Sequence, residues 1–507
     1  SRMVAQVERY IATLTSADIL RALTVGERQF DHLQWLGLQN SGLAHLLAIS
    51  GLHIGLVFGW SLLLLRAVPW PLRWQSRRNL LVFSLAFALA LAYAFARCGM
   101  LSRKTGGMGG YAEYTFGKAG NYITNYTYGL SLLIANVAIS ITAVGYIQEL
   151  FHIELDSLQV GLATIALLWI TTFANFGGAR ITGRIGAVTV WGVIAPVVLV
   201  STVGWFWFDS SVYAAGWNPH NMGWFDAAGA SVAITLWAFL GLESACANTD
   251  AVENPEKNVP IAVLGGTLGA AVIYIVSTNV IAGIVDNPEL AASTAPFGLV
   301  FAKMFTPLVG DIVMAAMVLA CIGSLLGWQF TIAQVYKSSA DTGYFLSIFA
   351  KANKAGTPIV GMLVLLAAQT ALALLTISPD LSKQFDTLVN LAVVTNLVPY
   401  ILSMAALMTM QKVSNVPAGK ALATNIIAWV AAAYSYLALY SSGEQALMLG
   451  GVATIFGYTL FGFVNNRLIR LEALNNSVPT QTVSAQHITG KPVPVNSLKK
   501  VTLEVNA

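Results

Sequence analysis

The chain has 507 residues, 56% hydrophobic and 10% charged, where soluble domains carry about 25% charged residues. With a mean hydropathy of +0.68, this composition excludes a soluble globular protein and indicates a polytopic membrane protein. The net charge of +4 is small and matters by its placement, and Cys98, Cys246 and Cys321 form no C-x-x-C pair that would suggest a disulfide framework or metal site.

In chain order, the opening "SRMVAQVERYIATLTS" lacks the apolar core of a signal peptide, and residues 1–42 are polar and partly amphipathic. Twelve apolar segments then approach or exceed the roughly 20 residues that a spanning helix needs. They are Leu43–Leu65, Leu80–Ala96, Tyr122–Tyr146, Leu158–Phe176, Ala187–Phe208, Ala227–Ala245, Val259–Val285, Val309–Thr331, Pro358–Ile377, Phe385–Met410, Ala421–Tyr440 and Ala446–Phe463. Backbone polar groups in lipid need internal partners, and none of these segments alternates like a barrel strand, so the expected fold is all-α with twelve transmembrane helices. The tail from Asn465 is polar and contains Pro479, Pro492 and Pro494, a composition that favours mobility.

Loop charges orient the helices. With the loop after Ala96 in the cytoplasm, the cytoplasmic loops and near tail hold fourteen Lys and Arg residues, and the outer loops hold two, Lys303 and Lys383. The C-terminus is therefore expected inside. The front end dissents: "RAVPWPLRWQSRRN" places Arg66, Arg73, Arg77 and Arg78 outside. The helix Leu80–Ala96 thus has positive charge at both ends. Either one loop breaks a statistical bias, or this helix was assembled from two proteins of opposite local topology.

Two glycine-rich stretches call for a reading. "GGMGGYAEY" has no Gly-Lys-Ser/Thr ending and no parallel-sheet context, so it is not a phosphate loop. Gly265, Gly266, Gly269 and Ala270 in "NVPIAVLGGTLGAAVIY" are expected to let helices pack closely.

From about Ala90 to Arg467 the chain closely resembles bacterial putrescine–ornithine antiporters of the amino acid–polyamine–organocation superfamily. The resemblance rests on "GGMGGYAEYTFGKAGNY", "NFGGARITG", "TLWAFLGLESACANTDAVENPEKNVPIAVLGGTLGAAVIYIVSTNVIAGIV", "STAPFGL" and "GSLLGWQFTIAQV". Residues 1 to about 90 are similar to something else: "QNSGLAHLLAISGLHIGLVFG" looks like the signature of the membrane channel for DNA uptake in competence. The expected organisation is a fusion. Residues 1–90 are a competence-channel-like fragment, 91–464 an antiporter domain and 465–507 a polar cytoplasmic tail. The antiporter resemblance implies a five-plus-five inverted-repeat architecture in the bacterial inner membrane. It implies exchange of putrescine for ornithine by alternating access, with no cofactor, no metal, no enzymatic chemistry and no nucleic-acid partner. The competing readings are a DNA-uptake fragment, which would need several Lys/Arg contacts to phosphates, and a non-transporting fusion.

An ionisable residue within an apolar span is a functional candidate, because charge in hydrocarbon costs at least a few kcal/mol. Glu243 in "WAFLGLESACANTD" is the clear case, suited to an ammonium group; the alternative is a structural carboxylate bonded to a neighbouring helix. On an unbroken helix Trp237 and Glu243 sit about 120° apart, whereas a break near Gly241 would turn both toward one cavity. The resemblance implies the same break in the sixth helix. Trp237 and Trp328 are the aromatic candidates for an alkylammonium chain, although most of the 13 tryptophans must serve packing or the interface. Cys98 and Tyr114 are candidates for an entry path at the cytoplasmic mouth. No histidine falls in the antiporter-like spans, which argues against a histidine proton relay or metal site there.

The superfamily's first helix carries a Gly-Ser-Gly-Ile-type break whose free amides bind a substrate carboxylate. Here "AISGLHIGLV" takes its place. Ser50, Gly51 and Gly55 bear a superficial likeness, which the longer competence match assigns to coincidence. The expected site keeps its helix-six half and lacks the other.

Overall fold

A computed structural model describes residues 75–102, 104, 106–216, 232, 235–244, 255–353, 356–377 and 381–477. The expected first span, with Ser50, Gly51 and Gly55, lies outside them, as do Cys246 and residues 478–507. Among the described residues there are helices and no strands. The helices are α1 (Gln75–Leu101), α2 (Met108–Phe151), α3 (Ser157–Ala174), α4 (Ala179–Thr189), α5 (Trp191–Val203), α6 (Ser210–Gly216), α7 (Pro255–Ala282), α8 (Asn287–Ala292), α9 (Pro296–Met304), α10 (Pro307–Asp341), α11 (Ile359–Leu375), α12 (Leu381–Val413), α13 (Ala418–Ser441) and α14 (Glu444–Ser477).

Eight helical stretches among the described residues are long and apolar enough to cross a membrane, and Ala88–Leu101 and Ile359–Leu375 are shorter apolar helices. These correspond to ten of the twelve expected spans. The sixth is described only at residue 232 and over 235–244. Element starts follow from local chemistry. Asp156 accepts from the Gln159 amide while the Gln159 side chain accepts from the Asp156 amide, so two donors at the start of α3 are paired reciprocally. Proline opens α9 and α10, where its missing N–H costs nothing.

The bundle is centred on α2, which packs most extensively on α12 and next on α10. The Ser131 hydroxyl donates to the Ala392 carbonyl at 2.8 Å and ties α2 to α12. In lipid the apolar faces gain little from contact with one another, so such interhelical bonds and close packing hold the elements in register.

Three expectations need correction. Helix α1 starts at Gln75, so Arg77 and Arg78 belong to its first turn rather than to a loop. The polar tail is helical well past Asn465, to Ser477. A Cβ added at Gly265, Gly266 or Gly269 would meet nothing within 4 Å among the described residues. These glycines line an exposed face of α7, and no described helix packs closely on them.

Candidate functional site

The helical segment 235–239 stops at a turn over residues 240–243. Gly241 adopts φ +106°, a left-handed conformation that a side chain disfavours. A Cβ at Gly241 would also stand 3.0 Å from the Trp328 ring, so the glycine lets the α10 indole lie directly on the broken backbone.

The break frees backbone groups, and Glu243 takes one of them. The Gly241 amide donates to Glu243 Oε2 at 3.0 Å. The Tyr400 hydroxyl, from α12, donates to the same oxygen. The carboxylate is 2% exposed. A third group, the Tyr128 hydroxyl of α2, is buried beside this carboxylate without a hydrogen bond of normal geometry. Ser244 closes the turn by donating to the Gly241 carbonyl at 2.6 Å. The result is a carboxylate held at a helix break by an amide and a phenol, with an indole against the break. Such a group can pair with an alkylammonium ion, and the ring face can cover its methylenes.

The structure brings Gly241, Glu243 and Trp328 together. Trp237 lies one turn before the break and meets Phe385 of α12 edge-on, ring centroids 6.4 Å apart. Cys98 is wholly enclosed, and its thiol donates to the Ser403 carbonyl at 3.7 Å. It is linked to the site through α12: Phe95 meets the Tyr400 ring at 4.7 Å, so one face of α1 covers residues 400–403. Tyr114 stands apart, with the Lys104 ammonium 5.2 Å from its ring centroid. Tyr400 and Tyr128 were not singled out from the sequence. Both lie in apolar spans, and Tyr400 directly follows Pro399, a helix-interior proline, which was the available signal.

An all-helical protein with many apolar spans and a buried carboxylate at a broken helix is a multi-pass membrane protein of the secondary-transporter class. Residues 79–464 match the amino acid permease family, and the chain belongs to that family. Residues 23–98 match the competence protein family, and the two matches overlap over 79–98, within α1. The chain is 66% identical over 380 residues to the putrescine transporter PotE of Escherichia coli K12, covering 75% of this chain and 87% of that protein. To the putrescine transporter PotE of Haemophilus influenzae it is 64% identical over 376 residues, 74% of this chain and 86% of that protein. To the cadaverine/lysine antiporter of Escherichia coli K12 it is 32% identical over 338 residues, 66% of this chain and 76% of that protein. Among solved structures, the Eremococcus coleocola manganese transporter aligns with a TM-score of 0.47 at 14% identity, covering 78% of this chain and 88% of that one.

Proposed function

We propose that this permease exchanges putrescine for ornithine across the bacterial inner membrane by alternating access, with its C-terminus in the cytoplasm. The observation that carries the reading is Glu243, a carboxylate enclosed in the bundle at a helix break and anchored by Gly241 and Tyr400. Its charge pairs with one ammonium group of either substrate, and Trp328 and Trp237 pack the alkyl chain. Cys98 and Tyr114 serve the path rather than the pocket. The putrescine transporters named above support this substrate class, and the cadaverine/lysine antiporter supports exchange of a diamine for its parent amino acid.

A second reading has its own support. The competence match covers the region where the family's first helix would stand, and on this reading the chain holds only half of a substrate site. Vesicles carrying the purified chain and loaded with ornithine separate the two. Exchange predicts labelled putrescine uptake that depends on internal ornithine. Uptake equal to that of empty vesicles would favour the non-transporting fusion.

A further inference from the structure

One end of the bundle holds a polar cavity of about 300 Å³, distinct from the Glu243 site. Its lining includes Lys104, Glu113, Asn121, Asn125, Ser339 and Tyr344. The Lys104 ammonium lies 2.6 Å from Glu113 Oε1. The Tyr344 hydroxyl donates to the same oxygen at 3.2 Å, and the Asn121 amide donates to Oε2 at 2.8 Å. Asn125 extends the network, donating to Asn121 Oδ1 at 3.1 Å and to Ser339 Oγ at 2.8 Å. One carboxylate thereby joins the segment between α1 and α2, two parts of α2 and the turn after α10.

Glu113 sits on a short piece with a hinge at each end. Residues 108–116 are helical, but Gly117 interrupts α2 at φ +63°, and Gly106 and Gly107 before it have φ of +93° and +58°. No ordinary side chain adopts these conformations readily, and a Cβ at Gly117 would meet nothing within 4 Å. The break therefore does not answer to crowding. It leaves residues 108–116 folded back along α2, with Gly109 against the Asn125 side chain. Met108, Tyr111 and Ala112 seat the inner side of this piece in the core, Thr115 bonds Thr409 of α12 at 2.7 Å, and the bonds at Glu113 fasten its outer side across the cavity.

We propose that residues 108–116 form a hinged lid over this mouth of the bundle, latched shut by Glu113 on Lys104, Tyr344 and Asn121. The lid swings at Gly107 and Gly117 when the transport path opens to this side, the cytoplasmic side in the topology proposed above; in that respect it rests on the transport reading. Lys104 is the exchangeable member, because its side chain is 38% exposed where that of Glu113 is 17% exposed.

The test places a cysteine at Ser339, a buried residue of the cavity wall, and measures its reaction with a water-soluble maleimide in inside-out vesicles, with the parent chain as blank. Lys104→Met, Glu113→Gln and Tyr344→Phe should each speed labelling by about threefold to tenfold, the scale expected of a partly exposed charge-assisted bond. Lys104→Arg, which keeps a charged donor for Glu113, should label at close to the parent rate. Tyr344→Phe preserves shape and guards against a result that merely reports misfolding. Equal labelling rates in all variants, or Lys104→Arg as reactive as Lys104→Met, would overturn the lid. Labelling needs no substrate, so failed ornithine–putrescine exchange in the same vesicles counts against the transport reading separately.

Discussion

A carboxylate enclosed among helices is stable as an anion only with donors around it, and Glu243 has two that differ in kind. The Gly241 amide is fixed by the helix break, whereas the Tyr400 hydroxyl belongs to another helix. Glu243→Gln keeps the shape and removes the charge. Binding of putrescine measured by calorimetry should then fall by at least about a hundredfold, since loss of a desolvated ion pair costs several kcal/mol. Unchanged affinity would leave Glu243 with a structural role only. Tyr400→Phe removes one hydrogen bond to a charged acceptor, worth roughly 1.5–3 kcal/mol, and should weaken the same binding by about tenfold or more. Gly241→Ala puts a side chain at φ +106° and 3.0 Å from Trp328. It should cost about 1–3 kcal/mol of strain, read as a lower melting temperature of the detergent-solubilised protein. Glu243 and Gly241 are legible in the sequence, because a lone acid and a glycine stand out in an apolar run. Tyr400 and Tyr128 are not, because tyrosine is common in membrane helices and nothing local tells which ring reaches a carboxylate some 115 to 157 positions away.

At the scale of elements, apolar runs foretold the helices well and their ends poorly. Hydropathy marks where lipid begins, not where hydrogen bonding stops. Thus α2 extends fourteen residues before Tyr122, through an interruption at Gly117 that a hydropathy window averages away. The glycines of α7 show the reverse failure. Their spacing fits close packing, but spacing alone does not say which face of a helix meets a neighbour. Helix α1 is the element on which the proposed fusion turns, since both family matches end or begin within it. If the family's own first helix is missing, ornithine loses the amides that would hold its carboxylate, while putrescine has no carboxylate to lose. Ornithine uptake into vesicles should be markedly lower than in a version with the family's first two helices restored, and putrescine uptake less affected. Equal ornithine uptake would show that Ser50 to Gly55 do the work of the missing break.

Over the whole molecule, the distribution of basic residues is the main guide to orientation. In the proposed topology, ten spans with fourteen Lys and Arg on the cytoplasmic side outweigh four arginines at the front end. A cysteine introduced at Gln75 should therefore react with a membrane-impermeant thiol reagent on intact cells. Protection from outside together with labelling from inside would reverse the front end and detach its topology from that of the bundle. The composition already gave the class of the molecule. What it left open was the arrangement of α2, α10 and α12 around one carboxylate, because that depends on contacts between segments far apart in the chain.

Helix α14 has 34 residues, and only Glu444–Asn466 is apolar enough to lie in lipid. At about 1.5 Å per residue, its last eleven residues reach roughly 16 Å beyond that stretch. The chain that follows Ser477 therefore starts about three turns past the apolar stretch of α14, the first of them still packed on the core through Leu468. A fluorophore or fused domain placed after it would report distances measured from that helix end rather than from the apolar stretch.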